Sequence, residues 1–104
     1  MDLSITTVPA VDKYVIQVAG EIDISNADKL RDAIDMSLEQ PCEHVCLDFS
    51  RVGYIDSTGI GVLVGAAHNA KEHERGWNIE HVQPQVLRIM QMLGVDKDIN
   101  VSGE

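Results

Sequence analysis

Residues 47–65 limit the fold most: Leu47-Asp48-Phe49-Ser50-Arg51-Val52-Gly53-Tyr54-Ile55-Asp56-Ser57-Thr58-Gly59-Ile60-Gly61-Val62-Leu63-Val64-Gly65. An apolar alternating run ends at Asp48 and a helix-period apolar run begins after Ser57, so the stretch reads as strand, loop, helix. Asp56, Ser57 and Thr58 each carry a side chain that accepts a hydrogen bond from the unpaired N–H groups of a first helical turn. Glycines follow, which let another backbone come close. The Ser57 hydroxyl is therefore expected on the surface, at the positive end of a helix. A phosphate there adds about 1.5 to 2 negative charges, partly offset by the helix N-terminus. The fold should survive that change, while a partner bringing an acidic or apolar group to the same spot should not stay bound.

A chain of 104 residues has room for one core, and a single domain over 1–104 is expected. The 8 basic against 17 acidic side chains give a net charge of −9. That balance argues against nucleic acid or an anionic membrane surface as partner. No basic and apolar leader opens the sequence and no apolar run approaches membrane-spanning length, so a cytoplasmic location is expected. Cys42, His44 and Cys46 suggest a metal site only superficially. Alternate strand residues lie about 6.6 Å apart, too far for neighbouring ligands of one tetrahedral zinc. No metal site is expected; Cys46 reads as buried and Cys42 as incidental.

Taken in order, 3–8 and 14–19 read as an antiparallel strand pair joined across Pro9 and Asp12-Lys13. Gly20-Glu21-Ile22-Asp23 breaks the second strand, and Ser25 with Asp28 resembles a capping box. Leu30, Ala33, Ile34 and Leu38 form the inner stripe of the helix that follows, which stops before Pro41. A nearly continuous apolar strand, 45–49, leads to the loop that ends at Ser57. A helix over 57–75 follows, with Gly61 and Gly65 turned to the sheet for a close approach and Gly76 as its stop. Strand 77–82 has Trp77, Ile79 and His81 on one face. Pro84 opens a helix with Val86, Ile89, Met90 and Leu93 inward and Gly94 as its stop. A short edge strand falls within 96–101, and Ser102-Gly103-Glu104 reads as frayed. The sum is an α/β fold, a mixed sheet of four to five strands with helices mostly on one face. Ligands of such sheets collect at the carboxyl ends of the strands, where Ser57 stands.

Two enzymatic readings fail on spacing. Ser57 as a nucleophile needs a general base, and none of His44, His68, His73 or His81 is placed near it by sequence; the Gly-x-Ser-x-Gly elbow is also absent. The run from Gly59 through Gly61 to Gly65, with Glu80 closing the next strand, resembles a dinucleotide fingerprint. Its third glycine comes one residue late, and the chain has no room for a second mononucleotide half.

Asp48-Phe49-Ser50, followed by Ile55-Asp56-Ser57-Thr58-Gly59-Ile60-Gly61-Val62-Leu63-Val64-Gly65, resembles the signature of the anti-sigma-factor antagonists, stand-alone bacterial STAS domains. Gly20-Glu21-Ile22-Asp23, Pro84 with its helix, and Leu93-Gly94-Val95 extend the resemblance over nearly the whole chain. It implies a phosphoprotein without enzymatic activity or cofactor, acting by partner switching in stress-response or sporulation transcription. Ser57 matches the serine that an anti-sigma-factor serine kinase phosphorylates with its own ATP and magnesium, and a serine phosphatase resets it. Unmodified, the chain would hold the anti-sigma factor and free the sigma subunit; phosphorylated, it would let go. Asp23, Asp56, Ser57, Thr58, Gly59, Ile60 and Val62 are the implied partner-binding residues. Within that set Asp56 positions the loop, Thr58 supports the cap and Gly59 admits the kinase. STAS domains also serve in transporters and larger complexes, so the alternative is a constitutive interaction module that is never phosphorylated.

Overall fold

Among the described residues, each of three helices carries the chain from one strand to the next parallel strand in the same direction across the sheet. With right-handed crossovers this repeated step leaves all of them on one face. The computed structural model describes residues 3–103. Its elements are β1 (Leu3–Ala10), β2 (Lys13–Ile22), α1 (Ala27–Leu38), β3 (His44–Ile55), α2 (Ser57–Glu72), β4 (Gly76–Val82), α3 (Pro84–Met92) and β5 (Val101–Gly103). The sheet order is β1-β2-β3-β4-β5, with β1 antiparallel to β2 and every other pair parallel. This is the expected mixed sheet, with five strands.

The core lies between sheet and helices. Ile16, Val18 and Ile22 of β2, Val45, Leu47, Phe49, Val52 and Ile55 of β3, and Trp77, Ile79 and Val82 of β4 meet Leu30, Ile34 and Leu38 of α1, Leu63 of α2, and Val86 and Met90 of α3. The opposite face is polar, with Ser4, Thr6, Gln17, Asp48, Ser50 and Arg51 around a pocket. Cys46 belongs to that polar face. Burial first, and then the charge of Glu80, pushes its thiol up to about 11, so it stays protonated at neutral pH.

Both central strands run further than the sequence pattern implies. The segment read as a loop, 50–55, is the second half of β3, and Gly20-Glu21-Ile22 continues β2 rather than ending it. Register shifts between Gln17 and Ala19 and between Gly20 and Glu21 insert extra β3 residues. Each shift resets which residues face the core, so the buried series Val45, Leu47, Phe49, Val52, Ile55 is not strictly alternating.

Other boundaries also move. α1 starts at Ala27, not at Ser25, whose N–H and hydroxyl both donate to Asp23. α2 ends before Gly76: Glu74 takes the left-handed conformation (φ 57°) and Arg75 N–H reaches back to Ala70 O at 2.8 Å. Gly76 instead opens β4, where any side chain would collide with the His44 ring. His81 also has a positive φ, of 59°, which turns it outward and puts Val82 inward, so it does not share the face of Trp77 and Ile79. Leu93 is exposed, whereas Gly94 (φ 71°) stops α3 as expected. Cys42 is a core residue. The last strand is Val101–Gly103, so Ser102 and Gly103 are paired rather than frayed; Glu104 lies outside the described residues. Turns over 96–100 precede that strand, pinned by the Trp77 indole donating to Ile99 O.

Candidate functional site

The carboxyl ends of β2 and β3 lie side by side, with Ile22 paired to Ile55. One residue, Asp56, separates β3 from α2. Its extended backbone (φ −100°, ψ −178°) makes it the N-cap. Oδ1 accepts from the N–H groups of Thr58 at 2.9 Å and Gly59 at 3.1 Å. Oδ2 accepts from Ile24 N–H at 3.2 Å, 32 residues away in sequence. A single carboxylate thus supplies the first turn of α2 and ties down the β2–α1 loop.

That loop is cross-braced. Asn26, buried inside it, accepts from Asp23 N–H at 2.9 Å and donates its amide to Glu21 O at 2.9 Å. The hydrogen bonds from the Ser25 hydroxyl and N–H hold the Asp23 carboxyl below its ordinary value. The brace leaves Ile24 at the tip, 79% exposed. An aliphatic side chain held in water by a rigid loop is the residue that sequence reasoning misses. The signal available was an Ile between two turn-forming residues, Asp23 and Ser25.

Ser57 is the first residue of α2 and is exposed, as is Thr58. Asp23 and Asp56 are partly exposed beside them, and Val62, half-buried one turn on, lines a groove of 360 Å³ between α1 and α2. Gly59 and Ile60 do not join this surface. A Cβ on Gly59 would stand 2.6 Å from Ile22 Cγ2 and 2.7 Å from Ile55 Cγ1, so this glycine seats the helix on the sheet rather than admitting a kinase. Ile60, 5% exposed, packs in the core. Gly61 and Gly65 reverse the expectation made of them: a Cβ on either would meet nothing within 4 Å, and both face the groove with Arg31, Asp35 and Thr58.

The histidines are engaged elsewhere: His44 with Asn78, His68 with Glu72, His73 with Asn69 O and His81 with Glu80. Among the described residues no three of His, Cys, Asp and Glu come together as a metal site. No helix there is long and apolar enough to cross a membrane. What remains is an exposed hydroxyl on a pre-capped helix start, flanked by a rigid loop and a groove, which suits recognition of another macromolecule.

The class is set by the chain itself: residues 6–101 match the family described as "Mlab, STAS domain". The anti-sigma-B factor antagonist of Bacillus subtilis is 31% identical over 90 residues, covering 86% of this chain and 81% of that protein. The crystal structure of an anti-sigma factor antagonist from Mycobacterium paratuberculosis superposes with a TM-score of 0.89 at 22% identity, over 99% of this chain and 87% of that one. SpoIIAA superposes at 0.79 in its unphosphorylated form and 0.72 in its phosphorylated form, at 19% and 18% identity. Both comparisons cover 97% of this chain, and 90% and 93% of the respective SpoIIAA chains. The chain belongs to the STAS-domain anti-sigma-factor antagonists. It is accordingly a regulatory binding protein and not an enzyme.

Proposed function

We propose that this protein is a phosphorylation-controlled partner switch acting in the cytoplasm. Unmodified, it binds an anti-sigma factor over Ser57, Thr58, Val62, Asp23 and Ile24, and so releases a sigma subunit. That anti-sigma factor is also the serine kinase that phosphorylates Ser57, which ends the complex, and a serine phosphatase restores the binding form.

The observation that carries this reading is the division of labour between neighbours. Asp56 already satisfies the first turn of α2, so the exposed Ser57 hydroxyl has no capping duty and is free to be modified. A phosphate there meets the positive end of α2 within its own chain, which tolerates it. Toward a partner it adds charge beside the Asp56 carboxylate and must be desolvated. Tenfold weaker binding requires only about 1.4 kcal/mol. The relation to SpoIIAA, a fold solved in a phosphorylated form, supports the same reading.

Intact-mass and peptide mapping of the protein from its own cells tests the modification. A single phosphate on Ser57 that changes between growth and stress is the expected result. In binding to the anti-sigma factor kinase, Ser57→Ala should hold permanently and Ser57→Asp should fail. If both variants bind like the wild type and no phosphate is found, the protein is instead a constitutive interaction module.

A further inference from the structure

The free edge of the sheet is built differently from the rest of the surface. β1 is the outermost strand on one side, eight residues or about 27 Å long at the usual rise. β5, on the other side, has three residues and irregular pairing. A long edge presents unpaired N–H and C=O groups, which soluble proteins ordinarily guard with charged side chains. None of the eight β1 residues is charged, in a chain where 24% of residues are. Pro9 removes one donor, but only near the end. Beside β1 a groove of 500 Å³ runs along α1, walled by Leu3, Ile5, Thr7, Tyr14 and Met36. Met36, 65% exposed, stands on the α1 wall of this groove, opposite Leu3 and Ile5, which are only half-buried.

We propose that the β1 edge is a self-association surface. Two copies pair β1 to β1 about a two-fold axis, joining two sheets into one of ten strands and closing each groove with the partner's α1 flank. Charge selects a second copy as the occupant. A strand laid along this edge must match an uncharged row, and β1 itself is such a strand. A two-fold axis sets identical strands antiparallel, the pairing β1 already makes with β2. A basic partner, which a chain of −9 attracts in general, finds no carboxylate here. Lys29 is the one charged side chain on the groove among the described residues. Ser57 follows β3, two strands in from this edge, so a pair presents two copies of the switch surface.

One strand edge and one groove wall make a small interface, so monomer and dimer should exchange in solution. The net charge gives the equilibrium an uncommon signature. Both copies are strongly acidic, so screening strengthens their association as the Debye length falls from about 10 Å in 0.1 M salt to about 3 Å in 1 M. Sedimentation of the full chain from micromolar to millimolar concentration should show a dimer that tightens with salt. The double variant Thr7→Lys/Met36→Lys, at two exposed positions, should lose at least about tenfold in association, and Ser57→Asp should not change it. Thr6→Lys, on the other side of the same strand, serves as a second test if the double variant melts early. A chain that stays monomeric in all conditions overturns the proposal. So does a dimer that loosens with salt or that the folded lysine variants leave intact.

Discussion

Helices α1 and α2 start side by side, at the carboxyl ends of β2 and β3, yet their first turns are built in opposite ways. α1 follows a four-residue loop whose polar side chains brace the loop and the end of β2: Asn26 bonds to Asp23 and Glu21, Asp23 to Ser25. α2 follows its strand after one residue, and that residue supplies the cap from outside the helix. The first arrangement fixes a tip and presents an aliphatic side chain. The second leaves a hydroxyl idle at a positive helix end. Rigidity at one start and spare chemistry at the other are what a surface needs if it is to be recognised and then switched off.

The seating of α2 should be the most sensitive point of the comparison. Gly59→Val drives a branched side chain into Ile22 and Ile55, which already stand at 2.6 and 2.7 Å from a Cβ position. A loss of about 3 kcal/mol in urea unfolding is expected. Gly65→Ala, on the same helix but facing open groove, should gain about 0.5–1 kcal/mol. Equal effects at the two glycines would mean that α2 is not pressed on the sheet as described.

Next come the two polar residues. Asn26→Ala removes a buried side chain and leaves the part-buried Asp23 N–H and Glu21 carbonyl without it, so it should cost about 2 kcal/mol. Asp56→Ala loses the cap on the exposed Thr58 N–H and the part-buried Gly59 N–H, so it should cost about 1 kcal/mol. The reverse order would show that the β2–α1 loop is the looser of the two starts. Acid sharpens the same contrast. The Asp23 carboxyl is held below its ordinary value, so its bonds to Ser25 strengthen the fold above that value and are lost as pH falls through the lower folded one. The Ser25 amide resonance should therefore shift as the Asp23 carboxyl protonates, and its exchange should lose protection relative to an unfolded amide at the same pH; Asp23→Asn should remove that dependence.

Where one period governs a segment, the sequence could be read directly. The α1 stripe Leu30, Ile34, Leu38, the Gly94 stop and the start of α2 at Ser57 all follow from local rules that tertiary contacts leave alone. The failures share a physical cause, a long-range contact overriding the local pattern. The later half of β3 is held as strand by pairing with β2 through bulges that scramble its alternation. The turn after α2 is made by Glu74, a residue with no strong preference for a positive φ, while the glycine two positions on is needed for the space that His44 fills. At the site, three consecutive capping residues gave the helix start but not which one caps it. Only the fold shows that Asp56 does so, and that Gly59 faces inward while Gly61 and Gly65 face out.

The smallest expected effect decides the most. Ser57→Asp adds a charge at the N-terminus of α2, where the helix dipole favours it by about 0.3–1 kcal/mol, against crowding from the adjacent Asp56. The two nearly cancel, so the variant should unfold within about 0.5 kcal/mol of the wild type while losing the anti-sigma factor. Ser57→Ala should match the wild type in both respects, because the hydroxyl has no capping duty to lose. If Ser57→Asp instead unfolds early, the α2 start has no more spare chemistry than that of α1. Loss of partner binding would then follow from a damaged fold rather than from recognition of the charge.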